Sequence, residues 1–335
     1  MTEKSFQHFG VLGCGAWGTA LALALRHAGR AVTLWARNPV ILNAMHHDHE
    51  NKAYLPGIPL DASLGFAADL KDLEVCDALI IATPAQHVRA TCRQLAAAFS
   101  KASLPLLIAA KGIEQKTSAL LSDVVCAELP NSPVAIISGP SFAREVAAGL
   151  PAALTLAIRD ASIGEPLMHA MASPSFRLYL TEDVVGAQIG GAIKNVLAVA
   201  SGIITGRQLG ENARAALLTR GLAEMMRLGS ALGGKPQTLM GLSGLGDLVL
   251  TCSSAQSRNM SLGIALGQGQ KLAAILAARA SVTEGVYTAE AALSLAQKVG
   301  VEMPIVEAVD AILRLGADID QTITGLLARP LKAER

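Results

Sequence analysis

The sequence predicts an α/β protein: a mainly parallel sheet with helices on both faces, followed by an all-α second half. Three observations carry this. Short apolar runs alternate with helical patterns as far as Thr181, as crossover connections in a parallel sheet require. The first run leads into Gly13-Cys14-Gly15-Ala16-Trp17-Gly18, a GxGxxG loop that opens a helix. After Thr181 the strand signals stop, and helical patterns run on with short breaks at 233–236, 267–269 and 300–304.

The apolar runs fall at 9–13, 31–35, 78–82, 105–110, 133–138, 152–158 and 176–180. With 335 residues the chain exceeds what one core usually holds. Two domains are expected, a dinucleotide-binding unit over 1–187 and a helical substrate and catalytic unit over 188–335.

Composition excludes several classes. Net charge is +1, charged residues are 16%, and no run of like charge suggests nucleic-acid binding. Mean hydropathy is high at +0.41. No uninterrupted apolar stretch reaches the ~18–20 residues of a membrane span; the best candidate, 188–206, carries Lys194 and Asn195. The apolarity fits buried helices or a subunit interface, and so a homodimer. The N-terminus, MTEKSFQHFG, lacks the apolar core of a signal peptide. Five scattered cysteines form no metal-type pair or disulfide framework. The cluster His46, His47, His49 reads as an exposed helix end or loop, with no further ligands for a metal. A reduced, cytoplasmic, metal-free enzyme is the expectation.

Strand, GxGxxG, helix and second strand together form the context of a dinucleotide site. Gly13 allows the tight turn, Gly15 lets a pyrophosphate approach the backbone, and Gly18 lets helix and strand pack closely. The helix N-terminus offers N–H groups to phosphate. The second strand ends in Trp35-Ala36-Arg37-Asn38, with no acid to bind ribose hydroxyls. Arg37 is either a surface arginine or the partner of a 2′-phosphate, so NADPH is expected to be accepted alongside NADH.

Ligands of open α/β sheets lie beyond the carboxyl ends of the strands. There the chain places Thr83-Pro84, Lys111-Gly112 and Ser138-Gly139-Pro140-Ser141. Lys111 is a solvated loop lysine or a contact for an anionic substrate or cofactor. Ser141 is a helix N-cap, or part of a turn that presents N–H groups to an anion.

In the second half, Gly190 and Gly191 lie one helical turn before Lys194, and Ala198 one turn after. Lys194 either snorkels from a buried helix or serves chemistry on a strip where a flat ligand could approach. Asp247 and Thr251 share one helical face. A carboxylate among apolar residues needs a partner, in the core or in a lysine and a hydroxyl substrate. Ser257-Arg258-Asn259 reads as an N-cap or a phosphate site. Thr283-Glu284-Gly285 reads as a turn and cap.

Together these motifs resemble the bacterial NAD(P)-dependent glycerol-3-phosphate dehydrogenase family. The resemblance runs nearly the full chain through GCGAWGTALA, LWARNP, AKGIE, ISGPSFAREVAAGLPAALTLA, VVGAQIGGAIKNVLAVASGI, GENARAALLTRGLAEMMRLG, GLSGLGDLVLTCSSAQSRN and TEGV. It implies a Rossmann-type N-terminal domain, an all-α C-terminal domain and a site between them. It implies reversible hydride transfer between dihydroxyacetone phosphate and sn-glycerol 3-phosphate, with NADPH/NADP or NADH/NAD as cofactor, supplying phospholipid synthesis. Lys194 is then the proton donor and acceptor, oriented with the substrate hydroxyls by Asn195, Asp247 and Thr251. Lys111, Gly139 and Ser141 are implied to meet the substrate, and Ser257, Arg258 and Asn259 to hold its phosphate. Gly13, Gly15, Ala16, Trp17, Gly18, Arg37, Lys111, Ala143, Arg258, Val282 and Glu284 are implied on the cofactor side. Family members often carry Ser where Ala16 stands, which predicts weaker cofactor binding, and Ser where Ala85 stands, a departure that weakens the assignment of the Thr83-Pro84-Ala85 loop.

Two other readings share part of these features. A ketopantoate reductase-like or hydroxyacid dehydrogenase-like enzyme would not need Ser257-Arg258-Asn259. A non-catalytic nucleotide-sensing module would not need Lys194 or Asp247.

Overall fold

The computed structural model describes residues 6–99, 103–279 and 282–330. The outer ends of the two expected domains, 1–5 and 331–335, lie outside the described residues. The sheet has eight strands: β1 (His8–Leu12), β2 (Ala31–Trp35), β3 (Gly65–Ala67), β4 (Ala78–Ile81), β5 (Leu106–Ile108), β6 (Val134–Ser138), β7 (Ala152–Ile158) and β8 (Phe176–Thr181). Their order is β3-β2-β1-β4-β5-β6-β7-β8. All neighbours run parallel except β6 and β7, which pair antiparallel. The sheet is therefore mainly parallel, as the alternating pattern predicts. The sequence did not mark β3, a three-residue edge strand that begins with Gly65 and has too little apolar length to signal itself.

Successive strand residues face opposite sides. Val11, Leu34, Ile80, Leu107 and Ile137 pack on one face; Leu12, Trp35, Ile81, Ile108 and Ile136 pack on the other. Both faces are covered, which explains why the strands read as continuous apolar runs.

The second half is helical throughout its described residues and is built round one helix, Val184–Gly206. Its neighbours are Glu211–Ala231, Asp247–Ser253, Arg258–Gly267, Glu284–Lys298 and Pro304–Leu315. Asp183 starts the central helix: its Oδ1 accepts Gly186 N at 2.8 Å and its Oδ2 accepts Lys235 N at 2.7 Å. The helix begins three residues after β8, and Val184 and Ala187 belong to the sheet-side core. The expected boundary at 187/188 therefore falls inside a continuous helix.

The central helix is long and apolar enough, by length and composition, to cross a membrane, and Lys194 and Asn195 interrupt its apolar run as the sequence shows. Yet 83% of its apolar window is buried within the protein. Apolarity here serves a protein core.

This helix meets Arg258–Gly267 backbone to backbone. A Cβ on Gly202 would stand 2.1 Å from Met260 O, and one on Gly263 would stand 2.1 Å from Val199 O. Only glycines permit this crossing, and it brings Asn259 against Asn195.

Candidate active site

The glycine loop has the expected build. Gly13 has φ +117°, and a Cβ there would press on Ala82 and Thr83 backbone at 3.0–3.1 Å. A Cβ on Gly18 would lie 1.9 Å from Gly13 O. Gly15 opens onto space, with no atom within 4 Å of a Cβ built on it. The helix Ala16–His27 starts there without a side-chain cap. Its first N–H groups therefore face a clear approach, which suits a pyrophosphate. Ala16 brings no hydroxyl, so the loop offers backbone donors. The Trp17 ring N–H is buried without a partner. Arg37 follows Ala36 at the end of β2 and is exposed.

Asn51, which sequence reasoning missed, braces this loop from behind. It is fully buried and donates to Cys14 O at 2.7 Å and Thr19 Oγ1 at 2.8 Å. No spacing or motif marks it.

Where the two halves meet, one carboxylate holds two lysines. Lys194 Nζ donates to Asp247 Oδ1 at 2.7 Å and to Thr251 Oγ1 at 2.8 Å. Lys111 Nζ donates to Asp247 Oδ2 at 2.7 Å and to Gly139 O at 2.9 Å. Asp247 is 1% exposed and opens the helix Asp247–Ser253, directly after a π-helical turn at Leu242–Gly246. Thr251 lies one turn on and also reaches Asp247 Oδ1, at 3.3 Å. Three charges in this arrangement leave one positive charge over, in a cleft that favours anions.

Burial holds the Lys194 ammonium down, to a pKa of about 8. Asp247 opposes this, and Lys111 adds to it by repulsion. Burial pushes the Asp247 carboxyl up, but Lys111 and Lys194 outweigh it and leave the pKa below the ordinary value. The site thus holds a carboxylate and an ammonium that is ready to lose its proton.

Asn195 does not touch Lys194. Its Nδ2 is shared between Gly191 O and Lys111 O, both at 3.4 Å. Its Oδ1 accepts Asn259 Nδ2 at 2.9 Å, and Asn259 Oδ1 in turn accepts Gly285 N at 2.9 Å. The expectation that Asn195 orients Lys194 is corrected: its side-chain amide links Lys111, the central helix and Asn259.

The strip of small residues is not an open platform either. A Cβ on Gly190 would lie 2.3 Å from Ser243 O, and one on Gly191 would lie 2.7 Å from Ser138 Oγ. Protein fills the strip, because the π-turn and β6 need that close approach.

Ser257 is an N-cap, accepting Met260 N at 3.2 Å. Arg258 is exposed yet closely surrounded; that crowding lowers its pKa, and Glu284 opposes the shift. Ser141 is not an N-cap. The short helix Ala143–Ala147 is preceded by Phe142, and Ser141 Oγ donates to Gly139 O at 3.0 Å. Gly139 has φ +144° and packs against Leu154. Ala143 is half-buried beside the first helix core. Glu284 Oε1 accepts Ala85 N at 3.1 Å and its Oε2 is buried without a partner. Burial raises the Glu284 pKa, against the Ala85 hydrogen bond and Arg258. Thr283 precedes the helix without capping it, so the expected cap is absent. Val282 is exposed.

His46 and His47 end the helix Pro39–Asp48 on the surface, as expected, with His49 following. Among the described residues no cluster of three metal-ligating side chains occurs.

Known proteins match the chain in sequence and in fold. Residues 8–163 match the family described as NAD-dependent glycerol-3-phosphate dehydrogenase N-terminus, and residues 183–324 match its C-terminus. Glycerol-3-phosphate dehydrogenase [NAD(P)+] of Caulobacter vibrioides is 53% identical over 330 residues, covering 98% of this chain and 99% of that one. The enzyme of the same name from Rhodospirillum rubrum is 52% identical over 336 residues, covering 99% and 95%. The crystal structure of glycerol-3-phosphate dehydrogenase from Coxiella burnetii superposes with a TM-score of 0.93 at 40% identity, covering 97% and 100%. The match in sequence, in both halves and in overall structure means that the chain belongs to the NAD-dependent glycerol-3-phosphate dehydrogenase family.

Proposed function

We propose that this chain reduces dihydroxyacetone phosphate to sn-glycerol 3-phosphate, reversibly, with NADPH or NADH, and so supplies glycerophospholipid synthesis. The observation that carries the mechanism is the Asp247 carboxylate bridging Lys194 and Lys111 at 2.7 Å each. The nicotinamide supplies the hydride when bound. As negative charge grows on the carbonyl oxygen, Lys194 Nζ donates a proton to it; in the oxidation direction Lys194 takes that proton back. Asp247 and Thr251 aim the lysine, and Asp247 keeps its charge throughout. Lys111 adds a fixed positive charge beside the reacting oxygen.

Ser257, Arg258 and Asn259 hold the phosphate at the start of their helix, with Gly139 and Ser141 on the other wall. Gly13, Gly15, Ala16, Trp17 and Gly18 take the pyrophosphate, Arg37 a 2′-phosphate, and Ala143, Val282, Glu284 and Arg258 further parts of the cofactor. The proposed units, 1–187 and 188–335, each lend residues to both ligands, so the site is shared between them. A homodimer in the cytoplasm completes the proposal; the apolar composition supports the first and the five free cysteines the second.

The test is NADPH oxidation by the purified chain with dihydroxyacetone phosphate and with dihydroxyacetone. Turnover should need the phosphate. Equal rates on both would place the phosphate site elsewhere, and no turnover on either would remove the reading.

A further inference from the structure

Lys111 is the first residue of a loop whose anchor lies in the other domain. The ladder between β5 and β6 ends at Ile108 and Ile136, and the chain then leaves the sheet. Two residues of the loop, Ile113 and Leu120, pair with each other in an isolated bridge. Both are buried, at 0% and 7% exposure, and both belong to the core of the helical domain. The loop between them is latched along the helix Glu284–Lys298. Ser118 Oγ meets Ser294 Oγ at 2.9 Å, Lys298 Nζ donates to Thr117 O at 2.7 Å, and Gln115 Nε2 donates to Glu290. Residues 290, 294 and 298 are spaced by four and form one stripe of that helix.

The sheet domain grips the same loop from behind. Arg89 forks onto Glu114 with two bonds of 2.7 Å, and Gln86 binds Ile113 O at 2.9 Å and Gln115 N at 2.9 Å. Ser118 adopts a left-handed φ of +59°, a conformation that side-chain-bearing residues keep only when their surroundings fix it. The helix that carries the latch begins at Glu284, which binds Ala85 N of the sheet domain.

We propose that residues 112–120 are a strap: Ile113 and Leu120 are positioning residues that fix Lys111 in the cleft and lock the two domains in register on this side. The domains cannot part here without bringing Ile113 and Leu120 into water. The cleft at Lys111 is therefore set before any ligand arrives, and substrate enters without movement at the strap. This rests on the proposed reduction of dihydroxyacetone phosphate.

Two measurements test it. Ile113→Ala should raise the KM for dihydroxyacetone phosphate about tenfold or lower kcat by as much, with the KM for NADPH changed less than about twofold. Ile113→Val should recover most of the loss. A lower melting temperature with unaltered kinetic constants would make the strap merely structural, and equal loss toward both ligands would also overturn it. Should Ile113→Ala not fold, the same split is read from Leu120→Ala, the other buried end of the strap. Second, Ser118→Cys with Ser294→Cys, in a background with the exposed Cys126→Ser, closes a disulfide across the latch. The oxidised enzyme should keep kcat and KM within about twofold of the reduced one. Loss on oxidation with recovery in reductant, or failure of the pair to close, contradicts the lock. Wild-type enzyme run alongside separates the proposals: inactive wild type removes the reaction, whereas active wild type with an indifferent Ile113→Ala removes only the strap.

Discussion

Lys194 and Lys111 reach the same carboxylate from different domains, each 2.7 Å from one oxygen of Asp247. Neither lysine approaches the other without that negative charge between them. Replacing Asp247 by Asn removes the charge and keeps the shape. Because Asp247 raises the Lys194 pKa, Asp247→Asn should lower it further. Reduction should slow by about 10²-fold or more, and its alkaline limb should move to lower pH. A variant with unchanged pH dependence would disconnect Asp247 from the proton-transferring group.

The wild-type pH profile follows from the same lysine. Reduction needs Lys194 protonated and oxidation needs it neutral. With a pKa of about 8, kcat/KM for dihydroxyacetone phosphate should fall as pH rises through about 8. That for sn-glycerol 3-phosphate should rise through the same range. Steady-state rates in both directions between pH 6 and 10, roughly two units either side, read this directly. Limbs that stay flat past pH 10, near the ordinary lysine value of about 10.4, would show that burial does not tune Lys194.

Arg258 is set apart from the proton chemistry. Arg258→Ala should raise the KM for dihydroxyacetone phosphate roughly 10–100-fold, the range of one charge-assisted hydrogen bond. Part of the binding loss is expected to return with added guanidinium as a detached cation. An unchanged KM would move the phosphate away from the Ser257-Arg258-Asn259 turn.

A stability effect comes from Glu224. It is buried and accepts Ile305 N at 2.8 Å and Val306 N at 3.3 Å, so it caps the helix Pro304–Leu315 from the side. Burial pushes its pKa up to about 7, against those two bonds. The native state then binds more protons than the unfolded chain between the ordinary value of 4.5 and about 7. This contribution to stability is present below about pH 4.5 and is lost as pH rises through about 7. Glu224→Gln should flatten that part of the profile in denaturant unfolding from pH 5 to 8, by at most about 1.4 kcal/mol per pH unit. An unchanged slope would assign the pH dependence to other groups.

What the sequence made legible follows from the reach of each signal. The glycine loop is local: Gly13 and Gly18 answer to atoms a few residues away in chain or across one strand, so spacing alone identifies them. The end of the sheet after Thr181 and the N-cap at Ser257 are local in the same sense. The Lys111–Asp247 bond spans 136 residues and two domains, and only the resemblance brought those residues to one site. Gly190 and Gly191 show the limit of spacing. Small residues announce a close approach but not what approaches, and here it is Ser243 and Ser138. Ile113 and Leu120 flank a loop in sequence, yet they are core residues of the other domain. Asn51 carries no pattern at all, because its role is set by where one side chain meets the glycine loop.

The central claim is that Lys194 moves the proton while the rest of the cleft binds. Lys194→Ala and wild type should be compared by NADPH titration and by single-turnover reduction of dihydroxyacetone phosphate. NADPH affinity should stay within about threefold, and the rate should fall by about 10²–10⁴-fold, with partial recovery on adding a small primary amine. A Lys194→Ala enzyme that reduces dihydroxyacetone phosphate at near wild-type rate would contradict the account.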